Sequence, residues 1–363
     1  MATIYPFSIY TSKGQVYPSV GENLTVDLSW LGWKPELIKK QIDSVNQILE
    51  NRTLNIPNNG NEGVLYMLPD LSMVDLSEWN TNPLDLHDQK YMVFKDNELV
   101  VDFSEIDYIR ETSFQNLRNL ESIEFIGNAK VIQSWGDQQL DCARLTNLFS
   151  DCQNLTSVTG LDLTDYTHIY PENMFINCNK LSELDIAIGK PYGSVSSMFS
   201  GCHELEEIPI TTMDMSDVTN ANSLFSDCRK CHAFPTLTNM DNLTNISQMF
   251  YNCSGGGQGW WDWNPDEYPY QGTLDIEISF APNVNANEFL TNSYIIHSVT
   301  INTTNMPNEN RFLNMNSDTG WLSQLKIYVP ASVVTDWVTL IKSSTDDPEK
   351  QAIVDNMVEA IQN

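Results

Sequence analysis

The chain has few basic residues and no long hydrophobic run, and its first residues predict no secretory leader. Its 363 residues contain 19 Lys and Arg against 48 Asp and Glu, a formal net charge of −29. Nucleic-acid binding needs clustered Lys and Arg, and a membrane span needs about 20 apolar residues, so we expect no nucleic-acid binding and no membrane insertion. The segment Met1–Phe7 lacks the basic and apolar parts of a signal peptide. The acidity favours a solvated surface, a basic partner or bound divalent cations.

Catalytic motifs are also missing. The five histidines are scattered and none stands in a His-Glu-x-x-His pattern, and the glycines from Gly255 onward lack the Lys-Ser/Thr of a phosphate loop. Cys228-x-x-Cys231 has neither a second cysteine pair nor the spaced histidines of a zinc site. We therefore predict a protein that is not an enzyme, with free thiols, no metal and no cofactor.

What the chain does contain is a repeated phrase, Met or Leu followed by Phe, with Cys three residues after the Phe. The five Phe/Cys pairs are Phe149/Cys152, Phe175/Cys178, Phe199/Cys202, Phe225/Cys228 and Phe250/Cys253. The phenylalanines, called anchors below, are 24 to 26 residues apart. Such a period predicts stacked coils that bury their apolar faces against one another, with a column of Phe and Cys inside.

Apolar residues follow each anchor at fixed steps. After Phe175 they are Leu181, Leu184 and Ile186, which end in the alternation of a strand with one buried face. The Asn-, Asp- and Ser-rich stretch before the next anchor predicts tight turns and a short helical turn around the Met-Phe pair. The predicted fold class is α+β, a solenoid of short parallel strands and short helical turns in about eight coils.

The Met/Leu-Phe-x-x-Cys-x-x-Leu phrases, together with the linker Met213–Phe225, resemble the BspA-like leucine-rich repeats. These repeats occur in bacterial surface proteins and phage structural proteins. The resemblance is specific over about residues 140–255. Two departures are Cys231, which replaces leucine in the fourth copy, and the glycine run after Cys253. The resemblance implies a leucine-rich-repeat solenoid that makes contacts with other molecules.

Three regions are predicted along the chain. Residues 1–65 form an N-terminal docking domain with strands at Thr3–Tyr10 and Leu24–Leu31 and a helix from Lys34 to Asn51. Residues 66–330 form the solenoid, with an aromatic insertion at 254–273. Residues 331–363 form a C-terminal helical cap with helices at Ser332–Lys342 and Pro348–Ile361.

The insertion is the candidate contact loop, because it combines aromatic side chains with carboxylates. Its residues are Trp260, Trp261, Asp262, Trp263, Asp266, Tyr268 and Tyr270. Aromatic faces beside carboxylates suit sugar rings. The alternative is that the rings pack against the solenoid or a neighbouring subunit.

These features predict a non-enzymatic structural or attachment protein of a tailed bacteriophage virion, on the head or the tail. Its N-terminal domain would dock onto other virion proteins, in an oligomeric assembly, and its solenoid would contact a neighbouring subunit or a host-surface glycan or protein. The alternatives are a bacterial cell-surface adhesin of the BspA-like type and, as a third class, a glycan-active enzyme with an acidic site near Trp260–Tyr270.

Overall fold

Parallel strands that stack coil upon coil dominate the computed structural model. It describes residues 97–103, 109–129, 131, 142–253, 274–308, 311–315 and 319–362, together with the backbone of short strands between Ile9 and Val93. The described residues between 97 and 329 form a parallel β-solenoid of about eight turns. This confirms the predicted stacked repeat and its number of coils.

The strands are, in chain order, β1 (Ile9–Thr11), β2 (Gly14–Val16), β3 (Asn23–Asp27), β4 (Lys39–Ile42), β5 (Val45–Ile48), β6 (Thr53–Pro57), β7 (Tyr66–Met67), β8 (Met92–Val93), β9 (Glu98–Asp102), β10 (Ser122–Ile126), β11 (Cys142–Arg144), β12 (Ser157–Asp162), β13 (His168–Tyr170), β14 (Glu183–Ala187), β15 (Lys190–Pro191), β16 (Gly193–Ser194), β17 (Thr212–Asp214), β18 (Val218–Asn220), β19 (Thr236–Thr238), β20 (Leu274–Ile278), β21 (Ile296–Ile301), β22 (Lys326–Val329) and β23 (Val358–Ala360). The helices are α1 (Thr319–Leu322), α2 (Val334–Lys342) and α3 (Pro348–Met357), with 3₁₀ helices at Met240–Asn242 and Ala331–Val333.

The N-terminal strands pair differently from those of the solenoid. The pairs β1–β2, β3–β6 and β4–β5 are all antiparallel. The helix predicted from Lys34 to Asn51 is therefore wrong, because β4 and β5 occupy its middle. Apolar residues spaced three and four positions apart also fit two short strands, and the β-branched residues Ile42 and Val45 favour an extended backbone.

The strands of the solenoid lie on two sides of each coil. On one side β9, β10, β12 and β14 form a parallel sheet, and β20 to β23 form a second one further along the chain. On the other side the parallel neighbours are β11–β13–β15, followed by β16–β18. The pair β17–β19 continues the first side, where β19 contacts β20. Alternate residues point inward, as in β14, where Leu184 and Ile186 are buried between exposed neighbours.

The backbone around each anchor forms hydrogen-bonded turns, so the predicted short helical turn is wrong. Around Phe175, Asn173 and Asn177 are left-handed, with φ of 57° and 61°. The N–H groups of Asn173, Phe175 and Asn177 donate to carbonyls of the next coil at 2.9, 2.9 and 2.8 Å. The intervening N–H groups donate three residues back within their own coil. A helix would direct every N–H along its own axis, whereas the left-handed residues turn alternate N–H groups toward the neighbouring coil.

These left-handed positions recur on both sides of the Met-Phe pair. They are Asn147, Asp151, Asn173, Asn177, Ser197, Gly201, Ser223, Asp227, Gln248, Asn252, Glu288 and Asn292. Asn, Asp and Gly tolerate positive φ better than other residues do. The polar composition that predicted turns thus also permits the hydrogen bonds between coils.

The anchor rings stack along the interior of the solenoid. The ring centroids of Phe149 and Phe175 are 5.2 Å apart and those of Phe175 and Phe199 are 5.7 Å apart, with interplanar angles of 6° and 10°. All of these rings are fully buried. Full burial of each ring together with offset stacking makes this column the main apolar core of the coils.

The C-terminal helices lie beside the last coils. Trp337 of α2 is buried and meets the ring of Phe312 at 4.9 Å in a perpendicular arrangement. Helix α3 begins with the side chain of Asp347 accepting a hydrogen bond from the N–H of Glu349 at 3.0 Å. The helix predicted to continue to Ile361 ends at Met357, because Val358–Ala360 pairs with β22 as a strand.

Candidate functional site

The ten repeat-core residues form an interior column. Each of the five anchors and five cysteines is at most 2% exposed. The thiols do more than fill space, since each donates a hydrogen bond to a phenylalanine carbonyl of the preceding coil, which is that of Phe114 for Cys152 and that of an anchor for the other four. The Sγ–O distances are 2.9 Å (Cys152–Phe114), 3.1 Å (Cys178–Phe149), 3.3 Å (Cys202–Phe175), 3.2 Å (Cys228–Phe199) and 3.1 Å (Cys253–Phe225).

Burial makes these thiols chemically inert. It raises the pKa of Cys152 to about 12 and holds the pKa of Cys178 well above its ordinary value. Because the thiolate is the reactive form, the column is unsuited to nucleophilic or redox chemistry. All seven cysteines are free, as predicted, and Cys231 is buried as well.

The candidate contact loop, Trp260 to Tyr270, lies outside the described residues. Its role as a contact or packing element therefore stays a prediction.

A second candidate surface lies on the outer side of β11, β13 and β15, and we call it the tyrosine face. It consists of Arg144, His168, Tyr170, Lys190 and Tyr192. The parallel register places Arg144 beside Tyr170, and His168 beside Lys190. The residues between them, Ala143, Ile169 and Pro191, are buried, so strand alternation directs the five members of the face outward.

The rings of the face contact one another. Tyr192 lies 5.4 Å from the ring of Tyr170 and 5.4 Å from the ring of His168, centroid to centroid. The guanidinium carbon of Arg144 is 5.1 Å from the centroid of the Tyr170 ring, a distance at which a cation is attracted to the π face. The Tyr192 side chain is nevertheless 43% exposed. Its neighbours thus hold the ring in place while much of it stays in contact with solvent.

Carboxylates of the next coil border the face. Asp217 Oδ2 lies 3.5 Å from Nε2 of His168 and makes an ion pair with Lys190, whose Nζ is 3.7 Å from Asp214 Oδ2. The hydrogen bond from Lys190 lowers the pKa of Asp217, and the same bond raises the pKa of Lys190. Asn239 donates to Asp214 at 2.9 Å and lowers the pKa of that carboxyl. The charges of Lys190, Asp214 and Asp217 are therefore present near neutral pH.

Polar groups extend the face on one side. Ser194 donates to Glu172 at 3.2 Å and accepts from the amide of Asn220 at 3.3 Å. The surface therefore offers an exposed ring surrounded by hydrogen-bonding groups of both kinds, an arrangement suited to recognition.

The sequence predictions did not include this face. A signal was available, because Arg144 and Tyr170 each stand five residues before an anchor and therefore had to share one side of adjacent coils. Tyr192 was harder to place, because it stands seven residues before Phe199, and the position five before that anchor is Ser194.

Two further observations concern the described part of the chain. It contains no group of three or more His, Cys, Asp or Glu side chains arranged to hold a metal ion. None of its helices has the length and apolar character that crossing a bilayer requires.

The fold and its surface define a repeat protein of the parallel β-solenoid class. Residues 143–263 match the model of a family described as a mycoplasma protein of unknown function, DUF285. Neither the curated proteins nor the solved structures yield a match.

Proposed function

We propose that this protein is a non-enzymatic attachment protein of a tailed bacteriophage virion, whose solenoid presents a contact surface to a neighbouring subunit or to the host cell. The observation that carries the proposal is the contrast between the inside and the outside of the coils. The recurring Phe and Cys residues are buried, whereas the outward positions of β11, β13 and β15 present a face of mutually supported aromatic and charged groups. Stacked coils offer extended surfaces of this kind for binding.

The resemblance to BspA-like leucine-rich repeats supports the same role, because those repeats occur in bacterial surface proteins and phage structural proteins. In this proposal residues 1–65 dock the chain onto other virion proteins, and several copies assemble in the particle. Residues 331–363 cover the end of the stack, a role that the contact between Trp337 and Phe312 supports. Covering an open end is a general requirement of solenoids.

Mass spectrometry of purified virions tests the proposal. The expected result is that the chain copurifies with the particles at a constant ratio to the major structural proteins, and that particles lacking it adsorb poorly to the host. Absence of the chain from purified virions would contradict the virion role. Hydrolysis of any glycan by the purified chain would contradict the non-enzymatic role.

A bacterial cell-surface adhesin is the second candidate function. The observation that favours it is the match of residues 143–263 to a family described as a mycoplasma protein, which is a protein of a cellular bacterium. Recovery of the chain from the cell envelope of uninfected bacteria, with none in virions, would support this candidate over the first.

A further inference from the structure

We infer that the tyrosine face binds a neutral oligosaccharide, with the ring of Tyr192 as the surface on which a sugar stacks. This inference rests on the proposed contact function and names the ligand class of that surface. Three properties of the face lead to it: a supported exposed ring, balanced charge, and width across several coils.

The first property is that Tyr192 is exposed without being free to move widely. The residue is 43% exposed, yet the rings of His168 and Tyr170 on the neighbouring strand both lie 5.4 Å from its ring, centroid to centroid. Binding to a ring that is already held in place orders few additional groups. Tyr combines an apolar ring face with a polar hydroxyl, and it can therefore contact both the C–H face and the hydroxyl edge of a sugar.

The second property is the charge balance of the face. The face holds the basic side chains Arg144 and Lys190 and the ionisable His168, and its border holds the carboxylates of Glu172, Asp214 and Asp217. Lys190 and His168 are both within ion-pair distance of Asp217. The whole chain has a formal charge of −29, so this near balance is local.

A basic or an acidic peptide is attracted by uncompensated charge, and little is available here. The paired groups nevertheless retain hydrogen-bonding capacity. A carboxylate has about four acceptor sites and a guanidinium has five N–H donors. A neutral ligand rich in hydroxyl groups can use both kinds of group without breaking the ion pairs, so the face favours a polyol over a charged segment.

The third property is extent. The face crosses the three neighbouring strands β11, β13 and β15. Since adjacent strands are about 4.8 Å apart, the outward rows extend about 10 Å along the solenoid. A surface of that width suits an oligomer that lies across the coils rather than a single ion.

The test measures binding of the full chain to an array of neutral oligosaccharides built from hexoses and N-acetylhexosamines, followed by calorimetry with the strongest binder. Tyr192→Ala is expected to raise the Kd about tenfold or more, because it removes the stacking ring. Tyr192→Phe keeps the ring and should change the Kd much less. Ile126→Ala is the matched control, because Ile126 lies on β10, on the other side of the coil, and is 44% exposed; it should leave the Kd unchanged.

Three outcomes would overturn the inference. In the first, the chain binds no neutral oligosaccharide on the array. In the second, it binds one with a Kd that Tyr192→Ala does not change, as would happen if residues 254–273 held the sugar. In the third, Tyr192→Ala abolishes capture of a purified virion protein while no sugar binds. The proposed function fails by a different result, absence of the chain from virions, which leaves sugar binding by the purified chain unaffected.

Discussion

In the central coils, between Arg144 and Cys253, every anchor is a phenylalanine, and a cysteine thiol three residues after it donates to a phenylalanine carbonyl of the preceding coil. In the coil that follows residue 273, Leu290 stands at the anchor position, Phe289 stands before it, and Ser293 replaces the cysteine. The hydroxyl of Ser293 donates to the Phe250 carbonyl as the thiols do in the central coils. The rings of Phe225 and Phe250 are already tilted by 34°, and the ring of Phe289 meets Phe250 at 85°, so the parallel column of anchor rings does not continue into this coil.

This comparison separates two requirements of the stack. A buried donor to the carbonyl of the preceding coil is present in both regions, although its chemistry changes from S–H to O–H. The column of parallel anchor rings is interrupted in the later coil, because Leu290 fills the anchor position with an aliphatic side chain, although Phe289 and Phe312 stack on each other beside it. The donor therefore belongs to the common geometry of a coil, whereas ring stacking is one of several ways to fill the interior.

The largest expected difference between the two regions is in their response to alkaline pH. Burial raises the pKa of the repeat thiols, to about 12 for Cys152 against an ordinary 9.0. The stability that these thiols contribute is complete below pH 9 and is lost as the pH rises from there toward the folded-state pKa. In that range the thiols lose their protons in the unfolded chain and keep them in the folded chain. Each thiol can lower the free energy of unfolding by up to about 1.4 kcal/mol per pH unit in that range.

Urea denaturation followed by circular dichroism at pH 7, 9 and 10 measures this dependence. Cys202→Ser serves as the control, because serine does not ionise and Tyr and Lys titrate equally in both proteins. Its stability should fall less steeply above pH 9 than that of the parent chain. Equal slopes in the two proteins would show that the thiols are accessible to ionisation in the folded state.

The next largest effect is expected at the stacked rings. Phe199→Ala should lower the free energy of unfolding by about 3–5 kcal/mol, because it leaves a cavity in the middle of the column. Phe199→Leu should cost less than about 1.5 kcal/mol, since Leu290 already fills the same position in a later coil. Chemical denaturation of both variants provides the measurement.

The contrast between those two variants matters more than either value. A loss below about 1 kcal/mol for Phe199→Ala would show that the ring does not fill the stack. A Leu variant as unstable as the Ala variant would show that the central coils need a ring where the C-terminal coil does not.

A smaller effect is expected at the buried donors. Cys202→Ala removes the thiol that bonds to the Phe175 carbonyl at 3.3 Å, whereas Cys202→Ser keeps a donor, as Ser293 does naturally. Cys202→Ala should therefore be less stable than Cys202→Ser by about 1 kcal/mol. Thermal and urea unfolding of the two variants, with Ser293→Ala as the counterpart in the later coil, gives the difference. If Ala were as stable as Ser at both positions, the side chain would matter only for its volume.

The smallest effect is expected at two surface carboxylates, each of which lies beside a histidine. They are Asp217 in the central coils, beside His168, and Asp275 in the later region, beside His297. Lys190 lowers the pKa of Asp217, and the Ser298 hydroxyl lowers the pKa of Asp275, with a smaller contribution from His297. Any stability from these groups is present above the ordinary carboxyl pKa of 3.8 and is lost as the pH falls through the folded-state value.

NMR titration of the carboxyl carbons should show both groups below their ordinary value. Lys190→Ala should raise the pKa of Asp217 and leave that of Asp275 unchanged. A change at Asp275, or none at Asp217, would contradict the assigned hydrogen bond. Exposed ion pairs of this kind contribute little to folding, so global stability should hardly change.

Much of the architecture was predictable because it depends on periodicity. The spacing of Phe149, Phe175 and Phe199 predicted stacked coils, and Leu184 and Ile186 lie inward in β14 as their alternation required. The short helical turn was not predictable in the same way, because one run of Asn, Ser and Met-Phe fits a helical turn or two left-handed turns about equally. The choice depends on whether a neighbouring coil offers carbonyls to alternate N–H groups, which no single coil specifies.

The tyrosine face shows the same limit for the candidate site. Arg144, His168 and Tyr192 are far apart in sequence, and nothing in their local context distinguishes them from ordinary surface residues. Tertiary register brings them together: His168 lies beside Lys190 and Ile169 beside Pro191, so Tyr192 follows Tyr170 across the face, whereas Ser194, five residues before Phe199, lies beside Asn220.

The sequence by itself therefore determined that the chain stacks and which side chains fill its interior, because a hydrophobic pattern with a fixed period can be buried in few ways. Only the tertiary structure decided how each coil turns at its anchor, that the thiols act as donors to the coil before them, and which outward residues become neighbours. These features depend on contacts between coils about 25 residues apart in the chain, and local sequence carries no record of such contacts.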